Sequence, residues 1–518
     1  MKNWFSSSVL FLLLGVSNSA HAGLLDGIAC LQNSDLKCAQ DIRDSLYGRK
    51  DTAYLEFHRD VLYYEGRYAE LALVLDELKY PEQDPEGSQT PYRKTIAASK
   101  GLLKFERDGI SIRHANGIEE ILAEDAYETL AKSRKEYKRV FGGVPDHTLV
   151  MDIFPTAARF IDASSLPPEA VRTTGVIALS KWSRLLLTSP RASAGGYGWK
   201  DTAAHEYIHL VVAYLTKDHA PVWLQEGLAK YFEGLWRGGT DDYLSVLQQS
   251  LLAKALRTDG FVPFEKFRYS MAYLDSSEEA ALAYAQVSSM VHFLKEKKGL
   301  EIFPTLLSRV QQGEDPMFIM ADLAGYSSFD SFRDAWKQFL RTLPLIQEQI
   351  ESAPPALDGE GGDFASDPVL AEREDLKKYM RVGELLLGIG RPKAALVEFE
   401  KVVDEEGPPS PTLLYRKAQC MLLMQEQAKA IQLANEGSKL YPEYVELQML
   451  LGEIQEKRGF LKQSIEHWKV AHDINPFDIR VQEALVSLYE KSGDAERLAR
   501  HKKYLNILQT GGASTFAR

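Results

Sequence analysis

The chain has 518 residues, 45% of them hydrophobic and 26% charged, which is the balance of an ordinary globular protein and excludes a disordered or fibrous one. Its 61 Lys and Arg face 73 Asp and Glu, and a net charge of −12 excludes a nucleic-acid binder that works by neutralising phosphates. Three cysteines are too few for a disulfide scaffold, so a chain of this length must divide into several domains built on apolar cores.

Met1 and Lys2 lead into the apolar run Val9 to Val16 and the small-residue pattern Ala20-His21-Ala22. Residues 1–22 read as a secretory signal cleaved before Gly23. An uncleaved N-terminal anchor is the alternative, with a run that is short for a bilayer. No Cys follows that run in position for a lipid, and no later stretch reaches membrane-spanning length without charges. The expectation is a periplasmic or secreted protein with no stable membrane insertion. In an oxidising compartment Cys30 can pair with Cys38, while Cys420, in an apolar helical context, reads as a packing residue.

Residues 23–108 form a helical, repeat-like region with no strand signal as far as Phe105. Within it Leu62 to Tyr68 closes one helix at Gly66, and Ala69 to Leu78 opens an amphipathic one. From Gly109 the pattern changes. Ile110 to Arg113 alternates like a strand, Ile121 to Phe141 reads as a long helix, and Thr148 to Phe154 is rich in β-formers. Gly175 to Leu179 and Arg184 to Thr188 flank Ser180-Lys181-Trp182-Ser183 as a hairpin, and mostly helical sequence then runs to about Ile346. Residues 109–350 therefore read as an α+β domain. Residues 351–368, rich in Pro, Gly and acid, read as a linker.

In residues 369–510, Pro408, Pro442 and Pro476 stand 34 apart, and the turn positions Gly390, Gln425, Gly459 and Gly493 follow at 35, 34 and 34. Small and aromatic residues recur with that period, at Gly383, Ala395 and Phe399, at Ala418 and Ala430, and at Gly452 and Ala471. These segments resemble the tetratricopeptide family. The resemblance implies an all-α solenoid of three full repeats and a last helical piece, Ile479 to Leu508, with a concave surface that holds a protein partner.

The chemistry lies in Ala203-Ala204-His205-Glu206-Tyr207-Ile208-His209. On a helix, His205 and His209 project from one face and can share one Zn²⁺, while Glu206, about 100° round, can act on water without being a ligand. Catalytic zinc takes three protein ligands and keeps a fourth place open. The third candidate is Glu226, on a helix that Pro221 can start and Gly238-Gly239 can stop, with Leu224, Leu228 and Tyr231 as its buried stripe.

His-Glu-x-x-His followed by Trp223-Leu224-Gln225-Glu226-Gly227 and Tyr231 resembles the gluzincin metallopeptidases of the peptidase MA-like and aminopeptidase N type. The resemblance implies an α+β peptidase domain, one Zn²⁺ per chain on His205, His209 and Glu226, and Glu206 as general base. Its loop between the ligands is two residues shorter than the aminopeptidase N pattern. It also implies an oxyanion-binding role for Tyr284 in Ala283-Tyr284-Ala285-Gln286-Val287, though the same Tyr reads as a packing residue where a helix running to Leu294 begins. The aminopeptidases hold a substrate amine through a Glu in a Gly-x-Met-Glu-Asn strand. Here the strand is Gly175-Val176-Ile177-Ala178-Leu179, with Ala178 in that place, so the expectation is an endopeptidase acting on a peptide or protein whose backbone pairs with the strand. His58, His114, His147, His219 and His292 lack ligand spacing, and of these His219 stands near enough in sequence to be open to a substrate role. The rival reading is a scaffold or assembly factor outside the cytoplasm with a vestigial or structural zinc site. Glu206 argues against it, because structural zinc needs no such carboxylate.

Overall fold

Five strands form one mixed sheet in the order β1-β2-β3-β5-β4: β1 (Leu102–Arg107), β2 (Ile110–Ala115), β3 (Leu149–Phe154), β4 (Ala178–Lys181) and β5 (Arg184–Thr188). The central pairs β2/β3 and β3/β5 are parallel, and the outer pairs are antiparallel. The computed structural model describes residues 18–78, 90–167, 176–240, 242–268, 271, 274–346, 364, 367–371, 373–402 and 408–515, with backbone only at 18–22 and 512–515. Most of the expected signal segment, most of the expected linker and Gly175 lie outside the described residues.

Side chains of β3 are buried on both faces, as a central strand requires. Leu149, Met151 and Ile153 join Leu185 and Leu187 in the main core beneath α6 (Ile121–Phe141), whereas Phe154 and Leu186 pack the opposite face against α5 (Thr90–Ser99) and α7 (Ala157–Ser164). On that face Asp152, wholly buried, accepts from Tyr68 at 2.5 Å and pairs with Arg113 at 2.6 Å and Arg184 at 3.6 Å. Tyr68 opens α4 (Tyr68–Glu77), so this cluster ties the N-terminal helices to the sheet. Those helices begin with α1 (Asn18–Gln32), which runs through the expected cleavage point, and α2 (Leu36–Ser45), linked to α1 by the Cys30–Cys38 disulfide. α3 (Thr52–Glu65) ends at Gly66 in a left-handed cap, as the Gly turn indicated.

Two readings of the sequence need correction here. The stretch expected to be helical to Phe105 ends in β1, an edge strand whose outward Lys104, Glu106 and Arg107 hide the alternation that marks a half-buried strand. The hairpin turn is two residues, Trp182-Ser183, both at positive φ, and not four.

Beyond β5 come α8 (Trp199–Thr216), α9 (Val222–Phe232), α10 (Val246–Thr258), α11 (Phe264–Phe267), α12 (Ser277–Lys298), α13 (Ile302–Gln311), α14 (Pro316–Ala324) and α15 (Phe329–Leu340). The C-terminal region is four helix pairs: α16 (Glu374–Gly388) with α17 (Pro392–Phe399), α18 (Pro411–Leu423) with α19 (Gln427–Leu440), α20 (Val445–Lys457) with α21 (Leu461–Ile474), and α22 (Ile479–Ser492) with α23 (Ala495–Thr515). The expected last helical piece is thus a complete fourth pair. Each turn residue has positive φ, 74° at Gly390, 64° at Gln425, 80° at Gly459 and 74° at Gly493. Gly383 and Gly452 are required small, since a Cβ would strike the Phe399 ring at one and the Trp468 indole at the other. Cys420 is free and fully buried. Asp367, at the expected linker's end, is built into the array: it accepts from Ser410 Oγ at 2.6 Å and from the Leu370 amide at 2.9 Å.

The array packs on the α+β region. Asp125 of α6 accepts from His472 Nε2 at 2.7 Å and from the Tyr504 hydroxyl at 3.1 Å, and Tyr504 and Leu508 of α23 belong to the same core as Ile110 of β2. Among the described residues no helix is long and apolar enough to cross a membrane.

Candidate metal centre

α8 begins after Gly198 and ends with Lys217 in the left-handed conformation. Ala203, Ala204, Tyr207, Ile208, Val211 and Val212 bury its inner face, and the Tyr137 hydroxyl donates to the Ala204 carbonyl at 3.1 Å. With those positions committed to the core, His205, Glu206 and His209 are left half-buried, the two histidines meeting Glu226 of α9. Pro221 caps α9, and Leu224, Leu228 and Tyr231 are its buried stripe as expected. The helix ends at Phe232, before the Gly238-Gly239 stop, and a 3₁₀ turn, Leu235–Arg237, fills the interval. Gly227 explains its own place in the motif. A Cβ there would lie 3.0 Å from the Val287 carbonyl, so Gly lets α9 settle on α12 without pushing that backbone away. That approach brings Tyr284, one turn before Val287, up to Glu226. α12 starts at Ser277 behind the Ser276 cap, so Tyr284 sits two turns into the helix and not at its start.

His205, His209 and Glu226 offer donor atoms within 4.8 Å of one another. Glu226 Oε2 lies 3.3 Å from His205 Nε2 and 3.5 Å from His209 Nε2. A tetrahedral ion with ligand bonds of about 2.05 Å needs donor separations of roughly 3.3 Å, so this two-imidazole, one-carboxylate set fits Zn²⁺ in both chemistry and spacing. Side chains of the three keep 16%, 15% and 15% of their exposure, so one side of the cluster is open.

His205 Nδ1 lies 2.9 Å from Glu233 Oε2, and Lys230 Nζ donates to Glu233 Oε1 at 2.5 Å. Nδ1 donating to this carboxylate leaves Nε2 unprotonated for a metal. Glu233 went unassigned in the sequence reading. Its signal is spacing: seven residues after Glu226, two turns along the same face of α9. In the metal-free protein burial would lower the His205 pKa, but hydrogen bonds to Glu226 and Glu233 outweigh it and push the value up to about 10. Burial opposes ionisation of Glu226 as well, yet the charge of His209 and the hydrogen bonds of both imidazoles hold its carboxyl well below the usual range.

Glu206 behaves differently. Burial pushes its carboxyl up, His209 and His205 oppose, and Glu226 adds to the rise, while the Ser180 backbone hydrogen-bonds it. Ser180 lies on β4, the sheet's outer strand beside α8. The Tyr284 hydroxyl is held protonated well above its usual range by the charge of Glu226, by burial and by Glu206. Glu206 and the Tyr284 phenol thus lie near enough to the cluster to feel its charges. The other histidines do not join it. His219 is exposed with Nδ1 3.0 Å from the Gln311 carbonyl, His292 stacks on Tyr231, and His58 stacks on Tyr54. His114 is buried with Nδ1 2.8 Å from the Ala115 carbonyl, and His147 is buried.

Residues 141–342 match the family model of the Peptidase MA superfamily. The matched segment holds α8, α9 and α12, and with them every residue of the cluster. No curated protein matches the chain. Among solved structures, native yeast LTA4 hydrolase is 12% identical with a TM-score of 0.30, covering 78% of this chain and 66% of that one. The native leukotriene A4 hydrolase from Saccharomyces cerevisiae is 11% identical with a TM-score of 0.31, covering 79% and 67%. The crystal structure of MamA is 19% identical with a TM-score of 0.23, covering 30% of this chain and 93% of that one. The chain spans about two thirds of the length of the hydrolase chains.

Proposed function

We propose that this chain is a zinc metallopeptidase of gluzincin type, working outside the cytoplasm and hydrolysing internal bonds of a peptide or protein. The observation that carries the reading is the spacing of the Glu226 carboxylate from the two imidazoles of one helix, with Glu206 and Tyr284 beside them. Zn²⁺ held by His205, His209 and Glu226 would supply Lewis-acid chemistry, polarising the scissile carbonyl and acidifying water.

The rest belongs to side chains of this protein. Glu206, whose buried carboxyl favours proton uptake, takes the proton of the attacking water and delivers it to the leaving amine. Tyr284, kept protonated, donates to the oxyanion as the carbonyl carbon becomes tetrahedral. The outer edge of β4, whose Ser180 backbone reaches Glu206, suits an extended substrate pairing as an added strand. Ala178, the first residue of β4, offers no carboxylate to a substrate amine, which supports an endopeptidase. The Cys30–Cys38 disulfide supports an oxidising compartment. The four helix pairs, with their period and positive-φ turns, support a tetratricopeptide-type array that holds a partner or substrate protein.

Metal analysis together with peptide-library cleavage tests this reading, comparing the wild type with Glu206→Gln. The amide keeps the size of the side chain but accepts no proton, so zinc content should stay and turnover should fall by about 10² to 10⁴. Near-normal cleavage by the variant overturns the mechanism.

A further inference from the structure

The loop before α8 and the first turn of that helix are gripped by the array. The Ile474 carbonyl, at the end of α21, accepts from the Tyr197 amide at 3.2 Å. It also fills the space where a Cβ on Gly196 would stand, and Gly196 has φ +74°, so the contact admits only glycine. Asp473 accepts from Lys200 Nζ at 2.6 Å, and Lys200 also meets Asp125 at 3.2 Å. One unit earlier, exposed Glu443 in the turn between α19 and α20 reaches the cap of α8: its Oε1 lies 2.8 Å from where a Cβ on Gly198 would be. Desolvation against the cap of α8 pushes the Glu443 carboxyl up, the Lys230 ammonium opposes that rise, and Asp201 and Glu233 add to it, while Glu443 in turn favours the charged form of Lys230. From there the line is hydrogen-bonded, Lys230 to Glu233 Oε1 and Glu233 Oε2 to His205 Nδ1.

We propose that the array positions the metal-binding helix, with Glu443 as a positioning residue acting through Lys230 and Glu233 on His205. The proposal rests on the zinc reading of the site. A helix is stiff, and His205 lies two turns from Gly198, so a grip on the first turn fixes where its imidazole stands. The charge of Glu443 favours the Lys230 ammonium. That ammonium engages Glu233 Oε1 and leaves Oε2 to orient His205 with Nε2 toward the metal. Glu443 also places a negative charge at the positive end of α8.

The test measures zinc affinity of the full-length chain by competition with a chromophoric chelator, alongside melting of the metal-free protein. Glu443→Gln should weaken zinc by about threefold to tenfold, less than the 10–100-fold typical when a group bonded directly to a ligand histidine is lost. The metal-free Tm should not move, because Glu443 is exposed. Lys230→Met should weaken zinc as well, and the double variant should lose less than the two single losses combined. Glu466→Gln, on the exposed side of α21, should match the wild type. Gly196→Ala should displace the Ile474 contact and weaken zinc; if it does not fold, Glu443→Gln alone decides. Wild-type zinc affinity in Glu443→Gln, or full additivity with Lys230→Met, overturns the positioning role. A wild-type chain that binds no zinc overturns the reading of the site itself.

Discussion

Two clusters of charge lie along α8, and they are built in opposite ways. Near its start, the single carboxylate of Asp125 is met by Lys200 at 3.2 Å, His472 at 2.7 Å, the Tyr504 hydroxyl at 3.1 Å and, farther off, Arg500 at 3.9 Å. Several donors thus surround one buried carboxylate. Beyond it, Glu206, Glu226 and Glu233 crowd two imidazoles, with Lys230 the one permanent cation paired to them among the described residues. With both imidazoles neutral, as metal ligands must be, that set would have two negative charges too many, which is the charge of one Zn²⁺. Burying a carboxylate is tolerable when its partners come with the fold, and Asp125 has them, so it fastens α6 and α8 to the array. The second cluster lacks such partners among the described residues and could be balanced by a bound metal ion.

Removing one carboxylate from each cluster should therefore do different things. Glu226→Ala should abolish zinc binding and turnover together while leaving the metal-free protein folded, as zinc content, cleavage and circular dichroism would register. Full zinc occupancy in that variant would mean the third ligand lies elsewhere. Asp125→Asn should instead lower stability by about 1–3 kcal/mol, read as a drop in denaturation midpoint, because the buried donors around it lose a charged acceptor while Lys200 keeps Asp473. Burial alone would raise the Asp125 carboxyl, but Lys200 and His472 outweigh it and hold the value well below the unfolded 3.8. Its stabilisation is thus present above about pH 4 and lost as pH falls toward the folded value, and the Asn variant should flatten that acid limb.

Smaller changes sharpen the contrast. Tyr284→Phe should lower kcat by about 10² with zinc content unchanged. A change confined to KM would place the hydroxyl in substrate binding instead. The least effect is a proton count. With its pKa up to about 10 in the metal-free protein, His205 carries a proton at neutral pH that zinc must displace. Zinc affinity should therefore rise with pH up to about 10, and roughly one proton should leave per zinc bound. Titration heats in buffers of different ionisation enthalpy measure this, and equal heats in all buffers would contradict the His205–Glu226 pairing.

The site was legible where chemistry and local geometry coincide. His205 and His209 declare a shared face by spacing alone, and Trp223-Leu224-Gln225-Glu226-Gly227 carries both the ligand and the glycine that lets its helix sit on α12. The array's turns were legible as well, including Gln425, which the period marked as a turn position and whose positive φ residue type does not advertise. What stayed hidden is what depends on the neighbour. Glu233 becomes meaningful only when α9 faces α8, and β1 is an exposed edge strand with no buried face to betray it. The pairing of Asp125 with His472 spans most of the chain, and no local pattern encodes a contact at that distance.

The membership of Tyr504 and Leu508 in the core that begins at Ile110 has a bearing on synthesis. A chain made from its N-terminus completes α8, α9 and α12 long before α23 exists, and until then part of their hydrophobic interior lacks its last wall. Contacts of such sequence separation close late, after the cost of forming a long loop has been met. The nascent chain must therefore spend the manufacture of the whole array with an unfinished centre, during which its exposed apolar surface is open to chaperones and to aggregation. Maturation of the centre is tied in this way to the translation of α23.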